Sequence, residues 1–292
     1  MLTINKTLYP LYPFDSHYLD INENSLHYLD EGEGEVVLML HGNPTWSFYY
    51  RNLVLKLRDQ FHCVAPDHMG CGLSSKPQIY PYRLSTHIAN VEQLISKLNI
   101  KRFHLVIHDW GGAIGMGLAK NIPDRVGKII ILNTTAFLSQ QLPLRIKLCR
   151  TPILGDVLIR AFNIFSRYAL TMATAKKGGL KGKVREGFLF PYHNWSSRIA
   201  QLRFVQDIPM RPKDNSYPLM KEIENSLHKF QKNQVLICWG EQDFCFNDHF
   251  LKNWMKYYPT AEVHKFSDGG HYVLEDGGEK ILILIRDFLL RN

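Results

Sequence analysis

A carboxylate occupies a corner where the surrounding pattern asks for an exposed nucleophile. The apolar run Phe103-His104-Leu105-Val106-Ile107 predicts a buried strand, and Gly111-Gly112-Ala113-Ile114-Gly115-Met116-Gly117-Leu118 predicts a helix of small residues. His108-Asp109-Trp110 lies between them, so Asp109 sits at the sharp strand-to-helix turn of a nucleophile elbow. Such corners usually carry serine. A carboxylate there suits attack on an electrophilic carbon, forming a covalent ester on the protein. The helix N-terminus behind Asp109 is expected to favour its ionised form. The alternative is an aspartate that merely caps that helix, and residues elsewhere have to decide between the two.

Further motifs fall at predicted strand ends, where open α/β sheets bind ligands. His41-Gly42-Asn43-Pro44-Thr45-Trp46-Ser47 follows a strand ending at Leu40. The loop after that strand and the residue after the nucleophile, Trp110, are expected to supply backbone N–H groups to an oxyanion hole. The Asn43 amide and the Trp110 indole add side-chain donors that could hold a leaving anion. Asn43 also reads simply as a turn residue before Pro44.

His271, in Ser267-Asp268-Gly269-Gly270-His271-Tyr272, stands on a Gly-rich loop after the last strand and suits a general base. Trp239-Gly240-Glu241-Gln242-Asp243 offers the acid that would orient it: Asp243 first, with Glu241 and Asp248 behind. Asn133 ends the preceding strand, and an amide cannot serve as that acid. In Ala65-Pro66-Asp67-His68-Met69-Gly70-Cys71-Gly72-Leu73-Ser74, Asp67 and His68 read as structural. So does His108, as a packing or hydrogen-bonding residue.

The elements that must position these groups alternate. Strands are expected at His17–Ile21, Ser25–Tyr28, Val36–Leu40, Phe61–Ala65, Phe103–Ile107, Val126–Leu132, Val235–Trp239 and Ala261–Phe266. Helices are expected near Ser47–Arg58, Ser85–Leu98, Gly111–Asn121, Asn247–Tyr258 and Glu279–Leu290. Apolar strands alternating with helices predict an α/β fold, a largely parallel sheet covered on both faces.

The alternation stops between about residues 134 and 232, a proline-rich stretch without a convincing strand. It reads as a helical cap (134–232) inserted into a core formed by 1–133 and 233–292. Phe162, Phe165, Tyr168, Phe188, Phe190, Trp195 and Phe204 within it are divided between cap core and pocket lining. Lys176-Lys177-Gly178-Gly179-Leu180-Lys181-Gly182-Lys183 reads as a flexible, solvated basic loop, with an anionic or membrane-surface role the weaker alternative.

Composition sets the bounds. The 292 residues are 45% hydrophobic and 21% charged, an ordinary globular balance. A net charge of +8 permits anionic contacts without requiring them. The five cysteines, Cys63, Cys71, Cys149, Cys238 and Cys245, include no C-x-x-C pair and suggest reduced thiols in a cytoplasm. Met1–Lys6 lacks the apolar core of a signal peptide, and no run reaches transmembrane length. Composition leads to the expectation of a cytoplasmic protein without membrane insertion.

Together HGNPTWS, the HDWGG elbow, GEQD and GGHY resemble the haloalkane dehalogenase family of α/β-hydrolases over nearly the whole chain. The resemblance implies Asp109 as nucleophile, His271 as base, Asp243 as acid and Asn43 with Trp110 as the halide-holding pair, in the manner of the third subfamily. The same resemblance implies a hydrophobic small-molecule substrate, no cofactor or metal and no nucleic-acid partner. Pro66–Ser74, Asn133-Thr134-Thr135-Ala136-Phe137 and Leu202–Pro209 resemble more closely the β-lactone decarboxylases of bacterial long-chain olefin synthesis. That resemblance implies conversion of a cis-β-lactone with two alkyl chains to a cis-alkene and carbon dioxide. It also implies assembly with other olefin-biosynthesis enzymes or with copies of itself. Hydrolytic dehalogenation is the alternative. Epoxide hydrolysis is a further one, which would need cap tyrosines such as Tyr168, Tyr192 or Tyr217. A non-catalytic ligand receptor on the same fold is the reading from another class.

Overall fold

A computed structural model describes residue 4 and residues 7–291, so most of the N-terminal run Met1–Lys6 lies outside the described residues. Eight strands form one sheet: β1 (His17–Ile21), β2 (Asn24–Glu31), β3 (Val36–Leu40), β4 (His62–Pro66), β5 (Phe103–Asp109), β6 (Val126–Thr134), β7 (Val235–Gly240) and β8 (Glu262–Phe266). Their spatial order is β1-β2-β4-β3-β5-β6-β7-β8. The first two strands are antiparallel to their neighbours, and β3 to β8 run parallel.

The inner strands are mostly apolar because both faces are buried. Successive side chains alternate between the faces. Leu38, Leu40, Leu105, Ile107, Ile129, Ile131 and Ile237 enter one core cluster. Val37, Met39, Val106, Ile130, Leu132, Leu236 and Cys238 enter the other. The first cluster packs under α2 (Leu84–Lys97), α3 (Trp110–Asn121), α8 (Tyr217–Ser226) and α9 (Asp248–Tyr257). The second packs under α1 (Arg51–Leu57) and α10 (Val273–Leu290). Each fully buried aliphatic side chain contributes roughly 1.5–3 kcal/mol.

Two helical expectations change. The segment from Ser47 starts as a 3₁₀ turn, Ser47–Tyr50, before α1. The last helix begins at Val273, not Glu279, and bends at Gly278, whose φ of 51° no ordinary helical residue adopts.

Between β6 and β7 the described residues form helices and turns. These are α4 (Leu144–Arg150), a π-helical turn (Asp156–Ala161), α5 (Ile164–Met172), α6 (Gly182–Leu189), α7 (Ile199–Gln206) and α8. Ile146, Cys149, Ile159, Leu202 and Val205 form a small core of their own there. Among the aromatics of this region, Phe188 and Phe204 are buried, whereas Phe162, Tyr168 and Trp195 are exposed. Phe162 and Trp195 are therefore neither core nor pocket lining. The basic stretch from Lys176 is a turn, and its end, Gly182-Lys183, already belongs to α6.

Candidate active site

The corner at Asp109 is backbone-strained, with φ 50° and ψ −124°. Its carboxylate does not cap α3 in the manner of an N-cap side chain. Oδ1 instead accepts the backbone N–H of Asn43 at 2.6 Å, on the loop after β3. Thr134 at the end of β6 donates its hydroxyl to the Asp109 carbonyl, which fixes the turn. Two glycines make the approach feasible. A Cβ on Gly42 would lie 2.1 Å from Asp109 Oδ1, and one on Gly111 would lie 1.8 Å from the Leu40 carbonyl.

Three strand ends converge here. His271 Nε2 lies 3.7 Å from Asp109 Oδ2, and its Nδ1 lies 2.8 Å from Asp243 Oδ2. Asp243 is itself held, by Asn133 Nδ2 at 3.0 Å and by the Cys245 backbone N–H at 2.7 Å. Asn133 also exchanges hydrogen bonds with the Gly240 backbone. The amide that cannot act as the acid thus clamps the residue that faces the imidazole. Glu241 and Asp248 point elsewhere: Glu241 faces Lys265, and Asp248 pairs with Lys252.

His108 donates from Nε2 to the His271 carbonyl at 2.9 Å and stacks on Tyr49 at 4.3 Å. It supports the His271 loop from below. Asp67 accepts the backbone N–H groups of Ser47 and Leu73 and pairs with His27 at 2.8 Å. His68 and His41 bind one another through ring and backbone. Neither Asp67 nor His68 lines the cavity at Asp109.

Burial raises the Asp109 carboxyl above the usual carboxylate range, held back by His271 and by the N–H groups of Asn43 and Trp110. The helix N-terminus does favour the anion, through the Trp110 N–H, but desolvation outweighs it. Burial also opposes a charge on His271, but Asp243 and Asp109 more than offset this, so the imidazole lies above its ordinary value. Desolvation drives His108 well below the usual range and keeps it neutral.

The cavity above Asp109 forks. A smaller arm of about 100 Å³ runs past Trp110, Ala113, Phe137, Val205, Met220 and Phe250. A larger arm of about 330 Å³ runs past Ile146, Cys149, Ile164, Tyr168, Ala169 and Met172, with His271 at its base. Asn43, Asp109, Ile146, Phe165 and Cys245 border both. Asp109 therefore stands where two apolar channels meet. Asn43 Nδ2 donates to the Gln201 carbonyl at 3.0 Å, which uses one of its two hydrogens. Trp110 packs against Phe204 with its ring centroid 5.2 Å away and borders the smaller arm.

Of the tyrosines considered for epoxide chemistry, only Tyr168 borders the cavity, while Tyr192 donates its hydroxyl to the Thr45 carbonyl. Among the described residues, no group of three or more His, Cys, Asp and Glu could hold a metal ion. Sequence reasoning missed the clamping role of Asn133 and the parts played by the Cys245 N–H and the Gln201 carbonyl. Asn133 lay in plain view at a strand end, and the amide's second use, as a clamp on an acid, was the available signal.

Residues 35–278 match the model of the alpha/beta hydrolase fold family. The chain is 48% identical to a protein of Shewanella oneidensis named cis-3-alkyl-4-alkyloxetan-2-one decarboxylase, over 96% of this chain and 89% of that one. It is 30% identical to a haloalkane dehalogenase of Mycolicibacterium paratuberculosis, over 92% of this chain and 91% of that one. In fold it matches the crystal structure of haloalkane dehalogenase DbeA from Bradyrhizobium elkani with a TM-score of 0.86. That match has 24% identity and covers 94% of this chain and 97% of that one. This chain belongs to the α/β-hydrolase fold family, within the group that includes the haloalkane dehalogenases and the β-lactone decarboxylases.

Proposed function

We propose that this chain decarboxylates cis-β-lactones carrying an alkyl chain on each of two adjacent ring carbons, with Asp109 as nucleophile. The observation that carries this reading is the fork: two apolar arms meeting at one carboxylate suit a compact polar ring with two hydrocarbon tails. A small haloalkane would need only one arm. Nearly half of all positions are shared with a relative named for this reaction, over almost the whole chain.

Asp109 Oδ2 attacks ring carbon 4 from the face opposite the ring oxygen. The carbon–oxygen bond breaks, and its electron pair goes to a carboxylate now on carbon 3. That carboxylate lies anti to the new bond to Asp109. Its carbon–carbon electron pair then forms the alkene, carbon dioxide departs, and Asp109 leaves with the pair from its own bond to carbon 4. Atoms and charge balance without water or cofactor. Inversion followed by anti fragmentation keeps both chains on one side, so a cis-lactone gives a cis-alkene.

Trp110 and the second hydrogen of the Asn43 amide supply donors for the anion released by ring opening. His271, kept above its ordinary pKa by two carboxylates, holds a positive charge beside Asp109 as that carboxylate is expelled. Asp243 fixes the imidazole, and residues 134–232 act as the cap that walls both arms. Free, mostly buried thiols suit a cytoplasmic setting. A substrate this apolar suits hand-over within an assembly that includes the enzyme closing the lactone ring.

The second reading, hydrolytic dehalogenation, rests on the 3.7 Å gap between His271 and Asp109, which suits a base acting on an ester there. Parallel incubations with a cis-dialkyl-β-lactone and with 1-bromobutane separate the two. Alkene with carbon dioxide supports decarboxylation. Bromide with butanol and no alkene would sink it.

A further inference from the structure

We propose that the α4–α5 face of the helical insertion docks on an anionic lipid surface. Residues 142–185 contain ten lysines and arginines and a single acid, Asp156, so this stretch carries more positive charge than the net +8 of the whole chain. Apolar side chains stand out among those cations. Ile153 is 79% exposed, Leu144 73% and Phe162 62%, with Leu148 and Tyr168 also exposed. On α4 the division is helical: Ile146 and Cys149 turn into the small core, while Leu144 and Leu148, four residues apart, face out.

Two of the arginines are tied up, Arg150 by Asp214 and Arg160 by Asp156. Arg160 also lies 4.4 Å from the exposed Trp195 ring, which adds an aromatic to the same side. Lys147, Arg167, Lys177, Lys181 and Lys183 are exposed. Large exposed apolar groups rimmed by charge mark a contact surface more often than bare solvent. Aromatic and aliphatic residues interleaved with lysine and arginine match the boundary between lipid headgroups and acyl chains. A protein partner would need an acidic counter-surface, whereas an anionic bilayer supplies negative charge and an apolar layer together.

No helix among the described residues is long and apolar enough to cross a membrane, so the contact is peripheral. Tyr168 and Arg145 border the larger arm and are themselves exposed, so that arm reaches the surface on this face. Docking there would set the channel mouth against the lipid, from which an apolar substrate could enter without crossing water.

Co-sedimentation tests this with the full chain and no substrate, so its outcome is independent of the reaction assigned to Asp109. Vesicles of phosphatidylcholine and phosphatidylglycerol in equal parts are compared with pure phosphatidylcholine. The expected result is sedimentation with the anionic vesicles only, weakened by added salt. Each cation near an anionic surface is worth about five-fold in partitioning. The triple variant Lys147→Gln, Arg167→Gln, Lys177→Gln should therefore bind about a hundred-fold more weakly, with an unchanged melting temperature. Ile153→Ser with Phe162→Ser should also reduce binding. Equal sedimentation with neutral vesicles, or undiminished binding by the charge variant, would overturn the proposal. So would a protein that ignores both vesicles and instead self-associates through this face.

Discussion

At the scale of single residues, the proposed function turns on which oxygen of Asp109 is free. Oδ1 is held by the Asn43 N–H, and Oδ2 faces His271 and the fork. If Asp109 is expelled intact from carbon 4, its oxygens never exchange with solvent. After many turnovers of the lactone in oxygen-18 water, the peptide containing Asp109 should remain unlabelled. Label in its carboxylate would show water attacking an ester, which is the hydrolytic route.

The pH profile follows from two upward shifts. If Asp109 is the nucleophile it must be ionised, so activity should be lost as pH falls through a value already above the ordinary carboxylate range. If the His271 imidazolium assists departure, kcat falls again as pH rises through its raised value. A bell-shaped kcat profile is expected for the lactone. A rate that climbs to an alkaline plateau would instead indicate a neutral base at His271.

At the scale of elements, the site depends on how closely β3 and α3 approach. Gly111 admits no side chain beneath the Leu40 carbonyl, and a backbone atom cannot move aside as a flexible side chain can. Gly111→Ala should therefore cost about 3 kcal/mol, the upper range for overpacking. A thermal melt should show a fall of several degrees, and an unchanged melting temperature would mean the corner is looser than described. The strands were legible because runs buried on both faces are apolar along most of their length, as in Val36–Leu40 and residues 105–107, 129–132 and 235–239. Their ends placed Asp109, Asp243 and His271 at one edge of the sheet. Less legible was anything that depends on elements meeting: Asn133 gripping Asp243, or the Gln201 carbonyl reaching Asn43 from α7. Periodicity reports which face is buried, not which distant backbone atom arrives there. The kink at Gly278 was hidden for the related reason that a Gly-Gly pair serves equally as a stop or a bend.

At the scale of the whole molecule, the proposed chemistry falls to the strand ends and the shaping of the cavity to the helices between β6 and β7. Each arm should then set the tolerated length of one chain. Ala169→Phe narrows the larger arm and Val205→Phe the smaller. Each methylene that loses its place forfeits about 0.8 kcal/mol, or roughly four-fold in kcat/KM. Ala169→Phe should therefore penalise lactones with one long chain while sparing short-chain substrates, measured by kcat/KM across a chain-length series. A uniform loss at every length would mean the arm does not hold substrate.

The most direct test measures alkene by gas chromatography from a cis-3,4-dialkyl-β-lactone incubated with the wild-type chain and with Asp109→Asn. The expected result is cis-alkene from the wild type and none above the uncatalysed background from a variant that still melts at the same temperature. Alkene formed equally well by Asp109→Asn, or only a β-hydroxy acid from the wild type, would contradict nucleophilic decarboxylation at this corner.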